Sequence, residues 1–257
     1  METTESVPKS AIVIPARLAS TRLPNKLLLA ETGKPLIQYA WESARRSLLA
    51  SVVIVACDHP SIFDAATAFG AQVQMTDPNA ACGTDRIAEV AETLDAEIIV
   101  NVQGDEPYLA AESIDRLICL LAQDPSAVMA TLATPIRERA FLDDPACVKV
   151  VFDQNNRALY FSRSLIPYPR AGVDQAFAAE PPLFYQHLGI YAYRRDFLLK
   201  FRTLERSALE IAESLEQLRA LSYGCTLLVG VVEERSFGID TPDDYRRFVA
   251  LEQKKGK

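Results

Sequence analysis

The residues with the clearest chemical content lie at 14–26, Ile14-Pro15-Ala16-Arg17-Leu18-Ala19-Ser20-Thr21-Arg22-Leu23-Pro24-Asn25-Lys26. An apolar run ends in a polar loop bearing two arginines, a serine, a threonine and a lysine. Such a loop offers backbone N–H groups and cations to phosphate oxygens. A guanidinium grips two oxygens as a fork, and an ammonium acts as a point charge. The stretch is neither a Walker loop nor a G-x-G-x-x-G fingerprint, so those two phosphate-binding designs are disfavoured. A merely solvated basic loop is the competing reading of the same residues.

A second group is acidic. The stretch Val100-Asn101-Val102-Gln103-Gly104-Asp105-Glu106-Pro107 delivers a carboxylate at the end of an apolar run. Magnesium takes one or two carboxylates and completes its shell with substrate phosphates and water. Asp105 meets that need, and Asp240, in Gly238-Ile239-Asp240-Thr241-Pro242, is a candidate second ligand. A turn residue ahead of a helix is the alternative for Asp240.

Three weaker signals follow. In Cys82-Gly83-Thr84-Asp85-Arg86, Gly83 permits close backbone approach and Arg86 follows about one helical turn later, although Gly-Thr-Asp also serves as a plain helix start. Arg163, His187 and Tyr191 end or flank predicted strands, where they can bind a carboxylate and hydroxyls. His187 beside Leu188 and Ile190 equally suits a satisfied core position. Glu216 and Gln217 can hydrogen-bond sugar hydroxyls or simply face solvent as helix formers.

These side chains need a frame to hold them. Short apolar runs at 11–14, 52–56, 72–75 and 98–102 read as strands, and the stretches 35–47, 61–69, 83–94 and 112–122 carry helical periodicity. Strands alternating with helices predict an α/β fold with a mostly parallel sheet covered on both faces. In such sheets ligands bind beyond the carboxyl ends of the strands. The polar motifs at 15–26, 57–59 and 103–107 all follow predicted strands and are candidates for one crevice.

The last third has a different character. An extended piece is expected at 128–131, a hairpin over 148–161 and strands at 188–193 and 225–232. One long helix is expected at 208–223, closed by Gly224, and a final helix at 241–253 with Thr241 as N-cap. The Pro-rich stretch 167–182 reads as a mobile loop. No internal repeat or linker breaks the chain, so a single domain with a β-rich insertion at about 148–195 is expected, with residues 1–10 flexible.

Composition narrows the function classes. The net charge of −7, with no dense Lys/Arg run, argues against a protein that tracks a nucleic-acid backbone. No apolar run approaches a membrane span, and the first ten residues lack the features of a signal peptide, so a cytoplasmic location is expected. Five scattered cysteines without a CxxC pair, and two histidines, argue against a disulfide framework or a structural zinc site.

Taken in order, the motifs IPARLASTRLPNK, CGTDRIAEV, IIVNVQGDEP, ALYFSRSLIP, HLGIYAYR, SLEQLR and GIDTPDD resemble those of the 3-deoxy-manno-octulosonate (Kdo) cytidylyltransferases along nearly the whole chain. The resemblance implies a Rossmann-like nucleotidyltransferase fold, whose β-rich insertion serves sugar binding and dimerisation in a homodimer. It implies transfer of CMP from CTP to Kdo with release of pyrophosphate, in service of lipopolysaccharide biosynthesis. Carried over by position, Arg17, Arg22 and Lys26 hold the triphosphate, helped by the backbone at Ala16 and Ser20. Cys82, Gly83, Arg86 and Gln103 surround the nucleoside, and Asp105 and Asp240 bind Mg2+. Arg17, Lys26, Asp105 and Asp240 then form the catalytic set. Arg163, His187, Tyr191, Glu216 and Gln217 contact the sugar. Cys82, Asp85 and Asn25 depart from the family's usual Ser, Glu and Gly. Related acidic sugars, 8-amino-Kdo or sialic acid, and a non-catalytic sensor on the same fold are the alternatives.

Overall fold

The computed structural model describes residues 7–80, 82–233 and 237–255. The chain divides into two compact units, Met1–Ile118 with Ser236–Lys257, and Cys119–Arg235. The first contains β1 (Ser10–Ala16), α1 (Leu36–Ala44), β2 (Ala50–Cys57), α2 (Pro60–Ala68), β3 (Gln72–Met75), α3 (Gly83–Glu92) and β4 (Ile98–Asn101). Helix α4 (Ala111–Gln123) carries the chain into the second unit. There follow β5 (Met129–Pro135), α5 (Ala140–Asp143), β6 (Lys149–Phe152), β7 (Ala158–Ser162), α6 (Val173–Phe177), β8 (Tyr185–Arg194), α7 (Arg195–Phe201), α8 (Ala208–Glu213), α9 (Gln217–Ser222) and β9 (Leu227–Val231). Helix α10 (Pro242–Lys255) belongs to the first unit again. Residues 1–6 of the segment expected to be flexible, and Ala81, lie outside the described residues.

In the first unit the strands run in parallel in the order β3-β2-β1-β4. Apart from Pro15, the apolar residues of β1 and β4 are fully buried, as a sheet covered on both faces requires. Expected strands at 11–14, 52–56, 72–75 and 98–102 all fall on observed ones. Helix α2 begins where His59 accepts the Ser61 N–H at 3.1 Å and Pro60 takes the first turn. Helix α10 begins in a reciprocal cap, in which Thr241 Oγ1 accepts from Asp244 N at 3.2 Å and the Asp244 carboxylate accepts from Thr241 N at 2.9 Å. An apolar cluster joins Leu23, Leu36, Tyr39, Ile239, Tyr245, Phe248 and Val249. It packs chain positions just beside Arg22 and Asp240 against α1 and α10, so side chains distant in sequence are delivered to one place by ordinary burial.

In the second unit β5 pairs antiparallel with β8 and parallel with β9, and β6 and β7 form the expected hairpin, with β6 also pairing β8. The β5–β8 ladder is irregular. Thr131 faces Tyr191 while the next residue, Leu132, faces Leu188, so Gly189 and Ile190 are two extra residues bulged out of β8. The stretch 167–182, expected to be a loop, includes α6, whose Val173, Ala176 and Phe177 pack on Ile136, Leu142, Cys147 and Phe184.

The single long helix expected at 208–223 is instead two short ones. Ser214 adopts a left-handed conformation with φ 52° and ends α8. Side chains from the β7 end compete for this stretch of backbone. Arg163 Nε donates to Glu213 O at 2.7 Å, and the Glu213 carboxylate accepts from Ser162 Oγ at 2.6 Å and Arg163 N at 2.9 Å. Helical periodicity shows none of these long-range bonds. Gly224, at φ 71°, does close α9 as expected.

A buried bidentate pair locks α8 to α9. Arg219 donates to both Glu210 oxygens, at 2.8 and 2.7 Å, and its guanidinium lies over the Phe201 ring. Burial pushes the Glu210 carboxyl upward, but the bonds and charges of Arg219 and Arg206 outweigh it and leave the pKa below the ordinary 4.5. A lowered carboxyl pKa stabilises the fold above the unfolded value, and that contribution is lost as pH falls through the folded value. Glu210→Gln is expected to destabilise the second unit by about 3 kcal/mol at neutral pH. In urea unfolding the gap from wild type should narrow as pH drops below 4.5.

Candidate active site

The strand order reverses at β1: the chain runs to β2 and β3 on one side and to β4 on the other. Loops leaving β1 and β4 therefore diverge, and this is where open α/β sheets bind ligands. A cleft opens there, lined by Arg17, Ser20, Arg22 and Lys26 from the β1 loop, by Gln103 and Asp105 beyond β4, and by Asp240. Pro15 also lines it, and Gly83 at the start of α3 lies against the Pro15 ring. Gly104 sits in a tight space: a Cβ there would stand 3.3 Å from Leu27 and 3.5 Å from Ile14, and the Leu27 side chain would have to give way.

The electrostatic centre of the cleft is Lys26. Its ammonium pairs with Asp105 Oδ2 and lies 3.0 Å from Asp240 Oδ1. Arg22 reaches the same Asp240 oxygen at 3.0 Å. The Lys26 side chain is only 12% exposed and that of Asp105 24%, so the attraction is less screened than at an open surface. The Asp105 carbonyl accepts from Ile239 N at 2.9 Å, which fixes the two acidic segments to one another. Arg17 is exposed in the cleft and has no ion-pair partner among the described residues. Three cations against two carboxylates leave a surplus positive charge, suited to a polyanion. Two carboxylates converging on one cation also form the donor set a divalent ion uses when phosphate and water complete its shell.

Behind the loop stands a residue that the sequence reading placed only within a strand-end motif. Asp58, just after β2, accepts Leu18 N at 3.0 Å with one oxygen and pairs with Arg86 at 3.3 Å with the other. Arg86 is 4% exposed and donates further to Thr76 Oγ1 and to Asp77 O. Arg86 thus braces the loop through Asp58 and does not line the cleft of Lys26. Ser20 also faces a shallower hollow shared with Leu18, Ala19, Asn25, Asp58, His59 and Pro78. Asn25, where glycine is usual, sits at φ 53° in the left-handed region that asparagine tolerates, so this departure keeps the backbone. Cys82 is the N-cap of α3 and Ala16 the buried last residue of β1. Gln103 donates to Asn101 Oδ1 at 3.3 Å.

The other predicted residues lie in the second unit. Four residues of extended strand span about 13 Å, yet the His187 and Tyr191 rings are 5.4 Å apart, because the bulge takes Gly189 and Ile190 out of line. Thr131 Oγ1 lies 2.7 Å from Ile190 O, 3.1 Å from Leu188 O and 2.9 Å from His187 Nε2. A hydroxyl has one proton, and carbonyls only accept, so His187 Nε2 carries the donating hydrogen and Nδ1 is left as the acceptor. Burial pushes the His187 pKa down to about 3, which keeps the ring neutral. Burial first, and then the Glu216 charge, push the Tyr191 hydroxyl upward. Glu216 lies 3.5 Å from Arg219. Gln217 is 3% exposed, and its Nε2 has no hydrogen-bond partner among the described residues. A buried amide donor without a partner costs about 1–3 kcal/mol, so this position calls for a water or a ligand group. Among the described residues the Arg163 guanidinium donates to backbone carbonyls alone, those of Pro145, Glu213 and Ser214.

A family model described as cytidylyltransferase matches residues 11–254. A 3-deoxy-manno-octulosonate cytidylyltransferase of Rhodopirellula baltica is 48% identical over 94% of this chain and 98% of its own. One of Geobacter sulfurreducens is 47% identical over 91% and 96%. Among solved structures, a CMP:2-keto-3-deoxy-manno-octonic acid synthetase complexed with CTP superposes with a TM-score of 0.89 at 41% identity, covering 96% of this chain and 99% of that one. A cytidylyltransferase of Leptospira borgpetersenii shares the fold at 17% identity and a TM-score of 0.62.

The Asp58 brace yields a direct test. Asp58→Ala strips Leu18 N–H of its acceptor and leaves the buried Arg86 without its carboxylate. The expected loss is about 3 kcal/mol in urea unfolding, with faster amide hydrogen exchange at Leu18. Unchanged exchange there would show that the loop is held by other means.

Proposed function

The chain belongs to the 3-deoxy-manno-octulosonate cytidylyltransferases, and from that premise we propose that it couples CTP to free Kdo, giving CMP-Kdo and pyrophosphate. The observation that carries the nucleotide half is the Lys26 ammonium held between Asp105 and Asp240 in a cleft with surplus positive charge.

The reaction joins two anions, a triphosphate and a keto-acid sugar. The anomeric hydroxyl attacks the α-phosphorus in line and gives up its proton to water, the bond from that phosphorus to the bridging oxygen breaks, and pyrophosphate departs with the negative charge. The barrier is mainly positioning and charge. Arg17, Arg22 and Lys26 neutralise the leaving oxygens, and the backbone at Ala16 and Ser20 adds donors. Cys82, Gly83 and Gln103 border the nucleoside, and Arg86 acts through Asp58. Asp105 and Asp240 would hold Mg2+, which when bound lowers the charge repulsion on the phosphate oxygens. In this reading Lys26 exchanges its carboxylate partners for triphosphate oxygens.

The sugar half rests on the second unit. Gln217 Nε2 supplies an unused donor and neutral His187 an acceptor at Nδ1, a pairing suited to a carboxylate and hydroxyls. Tyr191 and Glu216 complete the polar set, and Arg163 adds charge. No described helix is long and apolar enough to cross a membrane. A cytoplasmic homodimer feeding lipopolysaccharide biosynthesis fits this activity, and exposed Leu209 and Ile211 on α8 give apolar surface to a partner.

The decisive assay supplies CTP and Mg2+ with a panel of acidic sugars and reads pyrophosphate. Release is expected with Kdo, less with 8-amino-Kdo or sialic acid, and none with a sugar 1-phosphate. No release with any keto-acid sugar would overturn the reading. Asp105→Asn should lower turnover by about a hundredfold or more while leaving the fold intact. Near-normal turnover would remove the metal role.

A further inference from the structure

A buried cation in the second unit has no place yet in the chemistry. Lys149, the first residue of β6, is fully buried. Its ammonium donates to Asp144 O at 2.8 Å and to Arg163 O at 3.0 Å, and it forms no ion pair among the described residues. Burial lowers its pKa and outweighs the through-space effects of Cys147, Asp144 and Asp143, which favour the charge. Removing an ammonium from water costs several kcal/mol, and two neutral carbonyls return only part of that. A methionine of similar length would fill the same volume without the cost, so packing alone does not explain a lysine.

What the ammonium does, and a hydrocarbon cannot, is tie down both sides of Arg163. It holds the carbonyl of Arg163 itself, and it holds Asp144, whose neighbour Pro145 accepts the Arg163 guanidinium at 3.0 Å. The remaining guanidinium bonds run to Glu213 O and Ser214 O, at the break between α8 and α9 that sets up Glu216 and Gln217. Lys149 and Arg163 are therefore two linked cations, neither of them neutralised by a carboxylate contact among the described residues, beside the segment carrying the unpartnered Gln217 amide. The nearby Glu213 carboxylate is taken up by Ser162 Oγ and the Arg163 backbone N–H, so neither cation has a charge partner of its own among the described residues.

We propose that Lys149 is a positioning residue for the acidic sugar, fixing Arg163 and the α8–α9 break and adding unpaired positive charge to the site. This rests on the reading of the substrate given above. The test measures KM for Kdo, KM for CTP and kcat by pyrophosphate release, with full-length protein. Lys149→Met is expected to raise KM for Kdo by about tenfold or more while KM for CTP and kcat stay within about twofold. Lys149→Arg keeps the charge but not the point donor, and should raise KM for Kdo by only about threefold; it carries the test if the methionine variant does not fold. An unchanged KM for Kdo, or an equal rise for both substrates, overturns the role of Lys149 and leaves the functional reading intact. A wild-type protein without Kdo-dependent release overturns that reading and this proposal with it.

Discussion

Lys26 and Asp240, 214 positions apart, share a contact that also takes in Asp105, and the first unit's cleft is arranged around it. Two carboxylates at strand and loop ends would repel one another in a half-buried site if no cation stood between them. The ammonium removes that repulsion and holds the loop after β1 against the segment after β4. The apolar cluster of Leu23, Ile239 and the α10 aromatics sets the distance at which the charges meet. Hydrophobic burial places the charges, and their mutual attraction then fixes the loop. A polyanion entering this cleft meets cations already ordered, so little of its binding energy is spent on arranging them.

The first unit was largely legible in the sequence because each of its signals is local. Alternating apolar runs and helical stripes named the strands and helices, and strand ends carrying polar motifs marked the crevice. Arg17, Ser20, Arg22, Lys26, Gln103, Asp105 and Asp240 do line one cleft. The role of Arg86 was not legible. Its position one turn into α3 suggests exposure toward a ligand, whereas the structure turns it back onto Asp58 and Thr76. Asp58 lay in a noted motif, but nothing in its neighbourhood announces a bond to Leu18 N, forty positions away.

The second unit was less legible, and the reasons are physical. A stretch with good helical periodicity gave way at Ser214, where the distant Arg163 guanidinium offers partners to the Glu213 and Ser214 carbonyls. His187 invited two readings, core and ligand-binding. The structure shows the core aspect: the ring is buried beside Phe161, bonded to Thr131 and neutral. Lys149 looked like an ordinary strand residue, since burial of a lysine is invisible in a sequence.

The two residues bulged from β8 have a consequence for how this protein could change. The separation of His187 and Tyr191 is set by whole residues inserted in a strand whose ends are both hydrogen-bonded to β5. It cannot drift gradually as a loop might. Deleting one residue would turn every later side chain of β8 to the opposite face, and deleting both would remove the Ile190 carbonyl that lies 2.7 Å from the Thr131 hydroxyl. The ring spacing is therefore quantised. Variation around this pair must come from the neighbouring side chains, with the gap itself held constant.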